Sequence, residues 1–385
     1  MTSDRKPATI VAAARPEFDH GFGSVAPPIW SSDTFRWSSP DEKPEFDYSR
    51  TVNPNRALLA QALAKLEGAA GGVITNSGQS AALLPLLRLP LGARVVAPHD
   101  CYGGTFRLLD VLSRQGRIRC EFVDQSDHQA LTRTLGRDLD LFWIETPSNP
   151  LLRITDIRAC AALAKARGAL VIADNTLLTP VRQRPLELGC DLVMHSTTKA
   201  LNGHADLFGG ALLAKDAALL EELEWWSNAA GLNGSAYDAS QTLRGLRTLP
   251  LRIDRQEETA TALAEWLYTQ PQVQAVHFPG LKSHPGHALA ASQQTGPGFM
   301  LSFRLKGGKA ASDRFVAALE LIILASSLGG FATLICTPAT MTHRGMPPAM
   351  QEQAGIHPDL LRLSVGLEEF ADLKADLERG FEATR

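Results

Sequence analysis

Seven short apolar runs, at residues 72–75, 94–97, 119–123, 139–144, 169–173, 192–195 and 210–213, alternate with longer stretches of helical period. This alternation constrains the fold more than any other feature of the chain. A run such as Ala169-Leu-Val-Ile-Ala173 is apolar at every position, so both faces of the strand must be covered. Strands joined by crossover helices make an open α/β sheet. Ligands in such sheets gather at the carboxyl ends of the strands, so the turns that follow these runs are where chemistry is expected.

The flanking regions differ in texture. The first 55 residues are rich in Pro, Ser and Asp, lack a sustained helical period, and carry the rings Trp30, Phe35, Trp37, Phe46 and Tyr48. So many rings argue against a disordered tail. The segment reads as an ordered arm that packs either on another subunit or on its own domain. An amphipathic helix over 57–67, closed by Gly68, starts the sheet domain, 56–248. From 249 to 385 a long helix (252–269), strands at 275–278 and 300–305, and helices at 312–320 and 371–381 predict a smaller α+β domain.

Composition excludes several classes. The 385 residues carry 38 Lys and Arg against 41 Asp and Glu, a net charge of −3, which argues against a nucleic-acid or anionic-membrane partner. The polar start lacks the apolar core of a signal peptide, and no uncharged apolar run is long enough to span a membrane. Five scattered cysteines suit reduced thiols in a cytoplasmic setting. The one close histidine pair, His284-Pro-Gly-His287, has no acidic or cysteine partner, so no metal site is expected.

The candidate chemistry lies after four of the strands. Asp174 ends one run, and His195-Ser196-Thr197-Thr198-Lys199 ends the next. Separately they read as a turn cap and a polar turn with a solvated lysine. Together they set a carboxylate and an amine across one pocket. Asn76-Ser77-Gly78-Gln79-Ser80 opens an apolar helix, where Gly78 allows close backbone approach to a phosphate; a simple cap by Ser77 or Ser80 is the alternative. Tyr102 starts another helix, where its ring could stack on a flat cofactor or simply join the core. Pyridoxal phosphate needs this combination. Its aldehyde binds a lysine amine, its ring nitrogen stays protonated beside a carboxylate, and its phosphate needs N–H and hydroxyl donors.

Tyr48-Ser49-Arg50, Asn53-Pro54, Ser77-Gly78, Tyr102-Gly103-Gly104-Thr105, Glu145-Thr146-Pro147-Ser148-Asn149-Pro150, Asp174-Asn175-Thr176, His195 to Lys199, Ser327-Leu328-Gly329-Gly330 and Arg362-Leu-Ser-Val-Gly366 stand in this order along nearly the whole chain. The set resembles the Cys/Met-metabolism family of pyridoxal-phosphate enzymes. Ala97 to Gly104, Trp225-Trp226, Leu243 to Leu249 and Ala339-Thr-Met-Thr-His343 are similar to the family's cystathionine γ-synthases. The resemblance implies an aspartate-aminotransferase type fold (fold type I), with a mostly parallel seven-stranded sheet, and a homotetramer built from two catalytic dimers. It implies that Lys199 holds the cofactor aldehyde covalently and acts as the catalytic base, and that Asp174 pairs with the ring nitrogen. Tyr102 would stack on the ring and be the second catalytic residue, while Gly78, Gln79, Thr176, Ser196 and Thr198 would complete the cofactor site. Tyr48 and Arg50 would reach it from the neighbouring subunit. Arg362, Ser327 and Asn149 would bind the substrate α-carboxylate, a task that suits a guanidinium because it grips at two points. Asp47 and Arg107 would contact the rest of the substrate, Arg107 serving the distal carboxylate of an O-succinyl group or else standing as a solvated helix arginine.

The implied reaction is γ-replacement or γ-elimination on an activated homoserine, with cysteine as the usual nucleophile. Some positions depart from the family pattern. Gly329-Gly330-Phe331-Ala332-Thr333 carries alanine at position 332, where relatives place a glutamate facing the amino group of cysteine. Gln79 stands where Met is usual, Thr51 where Arg or a similar residue is, and Asn55 where Thr is. A hydrogen bond to a charged group is worth roughly 1.5–3 kcal/mol, so Ala332 leaves open a relative or lyase that does not use cysteine.

Overall fold

The structure, a computed structural model, describes residues 5–14, 24–136 and 138–384. Parts of the arm, and of the polar start read above for a signal peptide, lie outside the described residues.

The seven apolar runs form one sheet of seven strands, as expected: β1 Gly71–Thr75, β2 Ala93–Pro98, β3 Ile118–Val123, β4 Leu141–Glu145, β5 Leu170–Asp174, β6 Leu192–His195 and β7 Gly210–Ala214. The order is β1-β7-β6-β5-β4-β2-β3, with β7 antiparallel to both neighbours and the other pairs parallel. β4, β6 and β7 are buried along their whole length. One face of the sheet sets Val95, Trp143, Ile172 and Met194 against Ala81, Ala82 and Leu84 of the helix Gly78–Leu87. The other sets Phe142, Ile144, Val171 and Val193 against Ile157, Ala161 and Ala164 of the helix Ile157–Lys165. Covering both faces is what requires the inner strands to be apolar; the edge strand β3 instead exposes Arg119 and Glu121.

A second sheet of five strands follows: β8 Val273–His277, β9 Met300–Leu305, β10 Ile323–Leu324, β11 Leu334–Cys336 and β12 Leu360–Ser364, in the order β10-β11-β12-β9-β8. The helix Leu249–Tyr268 joins the two halves. Its first turns put Leu249 and Ile253 into a cluster with Leu59, Leu63 and Leu201, and its later turns put Leu263 and Leu267 against Phe303 and Leu361. Because one rigid helix belongs to both cores, the small sheet is held in place over the large one.

The helix expected at 57–67 runs Pro54–Glu67, capped by the Asn53 side chain and closed by Gly68 with φ 73°. The expected helix at 312–320 is Gly308–Ala317 instead, its start set by Gly307. Within the arm, Pro7–Ala12 forms a short helix that the residue pattern did not suggest, and only Val11 of it is buried. Among the described residues, no helix is long and apolar enough to cross a membrane, and no group of His, Cys, Asp or Glu could hold a metal ion.

Candidate active site

The carboxyl ends of β1, β4, β5 and β6 lie at one edge of the large sheet, and the site is built on their turns. The helix Gly78–Leu87 starts directly after β1, with Ser77 as its N-cap accepting from the Ser80 N–H at 3.2 Å. Its first amides have no partner within the helix and form a ready anion site. A Cβ on Gly78 would stand 2.8 Å from Cβ and 3.0 Å from Oγ of Ser196. Glycine therefore lets this helix start close onto the turn after β6. That turn is tied to β5 as well. Ser196 N donates to Thr176 Oγ1 at 2.9 Å, and Thr176 N donates to Asp174 Oδ1 at 3.0 Å. Asp174 is thus a turn cap and a site carboxylate together. The Thr198 hydroxyl is held by Gly209, accepting from its N–H at 3.0 Å and donating to its carbonyl at 3.2 Å.

Lys199 follows, and the small domain meets it. Nζ donates to Ser327 Oγ at 2.7 Å. Ser327 adopts φ 95°, a left-handed conformation a serine takes only where its surroundings impose it. Two residues on, Gly329, at φ 72°, packs so tightly that a Cβ there would lie 2.6 Å from Ala200 N. Arg362, on β12, donates from Nη2 to the Ser327 carbonyl at 2.7 Å and from Nη1 to Asn149 Oδ1 at 3.0 Å. Its Nε–H is buried without a partner among the described residues, a donor open to an incoming carboxylate.

Burial, and then the Arg362 cation, lower the Lys199 amine from 10.5 to about 8. Both disfavour the ammonium, so the amine is protonated and inert below that pH and neutral and nucleophilic above it. Labelling of Lys199 in the cofactor-free protein with an amine-directed reagent is expected to reach half its maximal rate near pH 8. Arg362→Leu should move this midpoint upward. A midpoint at the ordinary lysine value of 10.5 would show that the amine is not desolvated.

Glu145 and Asp174 face each other at the ends of β4 and β5. Burial and the neighbouring Asp174 charge raise the Glu145 carboxyl well above its usual value, although it accepts the Tyr102 N–H at 2.8 Å. Desolvation raises the Asp174 carboxyl, against hydrogen bonds from Thr176 and the pull of His195. Two such neighbours cannot both ionise cheaply. The upward push is the stronger on Glu145, the more deeply buried of the two, and a cation beside Asp174 would offset the cost of its charge. The Tyr102 ring is 37% exposed, and with the Gln79 amide it fills the space above Gly104.

The substrate candidates divide. Asn149, Ser327 and Arg362 meet at Lys199. Arg107, exposed on the helix Gly103–Arg114, lies against Gly345. Ala332 packs at Gly366 beside Glu368, whose carboxylate accepts from Thr333 N at 2.7 Å and Thr333 Oγ1 at 2.6 Å. Asp47 accepts the Tyr48 N–H and pairs with Lys43 at 3.6 Å. Tyr48 and Arg50 make their contacts away from Lys199. Arg50 bonds Asn228 Oδ1 at 3.2 Å and stacks over the Tyr48 ring, which is 42% exposed.

Several residues at the site carry contacts that the motifs did not suggest. Asp100 accepts from Ser148 Oγ and Arg153 Nη1, each at 2.7 Å, and so braces the loop that carries Asn149. Glu67, wholly buried, bonds His195 and Asn175 behind the site. A legible signal existed for Glu67, since it continues the buried stripe of Leu59 and Leu63 at helical spacing.

An amine of lowered pKa, a desolvated carboxylate, a half-exposed ring and a helix start closed onto Ser196 together match an aromatic aldehyde with a ring nitrogen and a phosphate. Pyridoxal phosphate fits this donor set. The pattern of the family described as Cys/Met metabolism PLP-dependent enzyme matches residues 8–382. The chain is 48% identical to the cystathionine gamma-synthase of Escherichia coli (strain K12) over 380 residues, 98% of each protein. It is 42% identical to the cystathionine beta-lyase of Bacillus subtilis (strain 168), over 94% of this chain and 93% of that protein. The crystal structure of cystathionine gamma synthase from Xanthomonas oryzae pv. oryzae in complex with aminoacrylate and cysteine superposes with a TM-score of 0.97 at 48% identity, covering 99% of both chains.

Proposed function

The chain belongs to the Cys/Met metabolism family of PLP-dependent enzymes, and on that premise we propose that it catalyses γ-replacement on an activated homoserine, joining O-succinylhomoserine to cysteine with release of succinate. The observation that carries this reading is the cluster in which the Lys199 amine, Ser327 and Arg362 meet at Asn149, the donor set for one amino-acid substrate beside one base. The alternative, a lyase or a relative that does not use cysteine, is not favoured: identity to the γ-synthase (48%) exceeds that to the β-lyase (42%).

In this reading Gly78 and Gln79 amides with the Ser196 hydroxyl hold the cofactor phosphate, while Thr176 and Thr198 fix the turns that present them. Asp174 keeps the ring nitrogen protonated, and Tyr102 covers the ring. When bound, the cofactor supplies an electron sink for negative charge at Cα. Arg362 and Asn149 hold the substrate α-carboxylate. Lys199 Nζ, whose ammonium form is disfavoured by burial and by Arg362, takes the Cα proton in its neutral form and then serves proton transfer at Cβ, so that the γ-substituent can leave. Arg107, and Asp47 from the arm of the neighbouring subunit, face that substituent. The thiol of cysteine then adds at Cγ.

Incubation with O-succinyl-L-homoserine and L-cysteine is expected to yield cystathionine and succinate in equal amounts. Formation of α-ketobutyrate alone would contradict replacement. Ala332→Glu should restore a charge for the cysteine amino group and lower the cysteine KM about tenfold or more. An unchanged KM removes that role from position 332.

The enzyme in this reading is a homotetramer of two catalytic dimers, in which Tyr48 and Arg50 complete the partner's phosphate site. Support comes from the exposed Tyr48 ring and from arm contacts that leave the Lys199 pocket of the same chain untouched. Mixing Arg50→Ala and Lys199→Ala subunits tests this. Each hybrid dimer regains one intact site of its two, so a random mixture should recover about a quarter of wild-type activity. No recovery after verified subunit exchange would mean that each chain completes its own site.

A further inference from the structure

The large sheet has a polar cluster on the face opposite the substrate pocket, and no step above uses it. Glu67, the last residue of the helix Pro54–Glu67, is wholly buried. Its Oε1 accepts from Asn175 Nδ2 at 2.9 Å and bonds His195 Nε2 at 2.7 Å, with the ring proton on that nitrogen in the assignment that makes His195 the donor. Asn175 follows Asp174 at the end of β5, and His195 precedes Ser196 at the end of β6. Asn175 is fixed further. Its Nδ2 donates to the Gln183 carbonyl at 2.7 Å, its Oδ1 accepts from Gln183 Nε2 at 3.1 Å, and Gln183 Nε2 also donates to the Thr146 carbonyl at 2.8 Å. Glu67 Oε2 and His195 Nδ1 have no partner among the described residues.

A carboxylate in so dry a place is costly, and a helix end needs none there, since Gly68 already closes the helix. What the carboxylate does is join two strand ends. Asp174 is the last residue of β5 and His195 the last of β6, so Asn175 and Ser196 are their immediate chain neighbours. Holding Asn175 and His195 at the back therefore fixes Asp174 and Ser196 at the front. The same helix begins four residues after Arg50, so the link also runs from the arm to the pocket.

We propose that Glu67 is a positioning residue that locks the ends of β5 and β6 together from behind, so that Asp174 and Ser196 meet the cofactor ring nitrogen and phosphate in register. This rests on the roles given above to Asp174 and Ser196. Glu67→Leu removes both bonds, whereas Glu67→Gln keeps an oxygen that can accept them.

The test is titration of the cofactor-free full-length protein with pyridoxal phosphate, following the visible absorbance band, with thermal melting of each apoprotein alongside. Glu67→Leu is expected to weaken cofactor binding at least tenfold and to shift or broaden the band, while Glu67→Gln stays within about threefold of wild type. If Glu67→Leu does not fold, Asn175→Ala, which cuts the β5 link together with the two Gln183 bonds and leaves the His195 bond in place, should produce the same weakening. Wild-type affinity and an unchanged band in Glu67→Leu, or in Asn175→Ala if that variant replaces it, would overturn the proposal. So would a lowered apoprotein melting temperature with unchanged cofactor affinity, because Glu67 would then serve only the fold. Asp174→Asn is the control. If it leaves the band unchanged, the underlying site reading fails; if it alters the band and Glu67→Leu does not, only the positioning role fails.

Discussion

Lys199→Ala should lower the rate of cystathionine formation about ten-thousandfold, the upper range for loss of a positioned proton-transfer group, and should leave the protein folded. The argument starts from burial. A solvated lysine is almost wholly protonated at neutral pH and cannot take a proton from carbon. Desolvation and the Arg362 guanidinium bring this amine to about 8, so that a useful fraction is neutral. Neither Ser327 nor Arg362 can substitute for it, because one offers a hydroxyl and the other a guanidinium. Lys199→Arg should be as inactive as the alanine variant, since a guanidinium does not deprotonate. Steady-state assays with O-succinylhomoserine and cysteine provide the check. Retention of more than about a hundredth of the wild-type rate would place the base elsewhere.

Arg362→Ala carries the second large effect. Two charge-assisted hydrogen bonds to a substrate carboxylate are worth about 3–6 kcal/mol together, so kcat/KM should fall about a hundredfold to ten-thousandfold. The variant also strips the donors from Asn149 Oδ1 and from the Ser327 carbonyl, and so loosens the hydroxyl that holds Lys199. Arg362→Lys should recover little, because an ammonium cannot reproduce the planar fork. Cofactor affinity, read from the visible band, should stay close to wild type. A loss of cofactor binding as large as the loss of kcat/KM would assign Arg362 to the fold of the pocket rather than to substrate.

How much of this was legible follows from the physics of each part. The inner strands of the large sheet stood out because coverage on both faces makes their middles apolar, as in Leu192-Val-Met194 and Gly210–Ala214, whereas the edge strand Ile118–Val123 exposes Arg119 and Glu121. The helix Ala217–Ala230 was missed although Leu219, Leu220, Leu223 and Trp226 recur at helical spacing and pack on the large-sheet core; the exposed Trp225 beside them blurs the stripe. β10 has two residues and β11 three, too few for any period to show. β12 carries the charged Arg362 at its centre, and nothing local signals that this arginine lies buried beside Ser327.

The candidate site divides along the same line. Asp174 and Lys199 could be read from their places at strand ends. The meeting of Lys199 with Ser327 and Arg362 depends on contacts between residues far apart in the chain, and family resemblance was the only route to it. Glu67 could have been noticed as a carboxylate in an apolar stripe, but its partners Asn175 and His195 become visible only when β5 and β6 are paired.

The central claim is that one lysine holds the cofactor covalently. Borohydride reduction of the purified holoenzyme, followed by peptide mass mapping, tests it most directly. The account predicts loss of the visible band and a pyridoxyl-phosphate adduct on the peptide containing Lys199. A colourless protein that takes up no pyridoxal phosphate, or an adduct fixed to a different lysine, would contradict it.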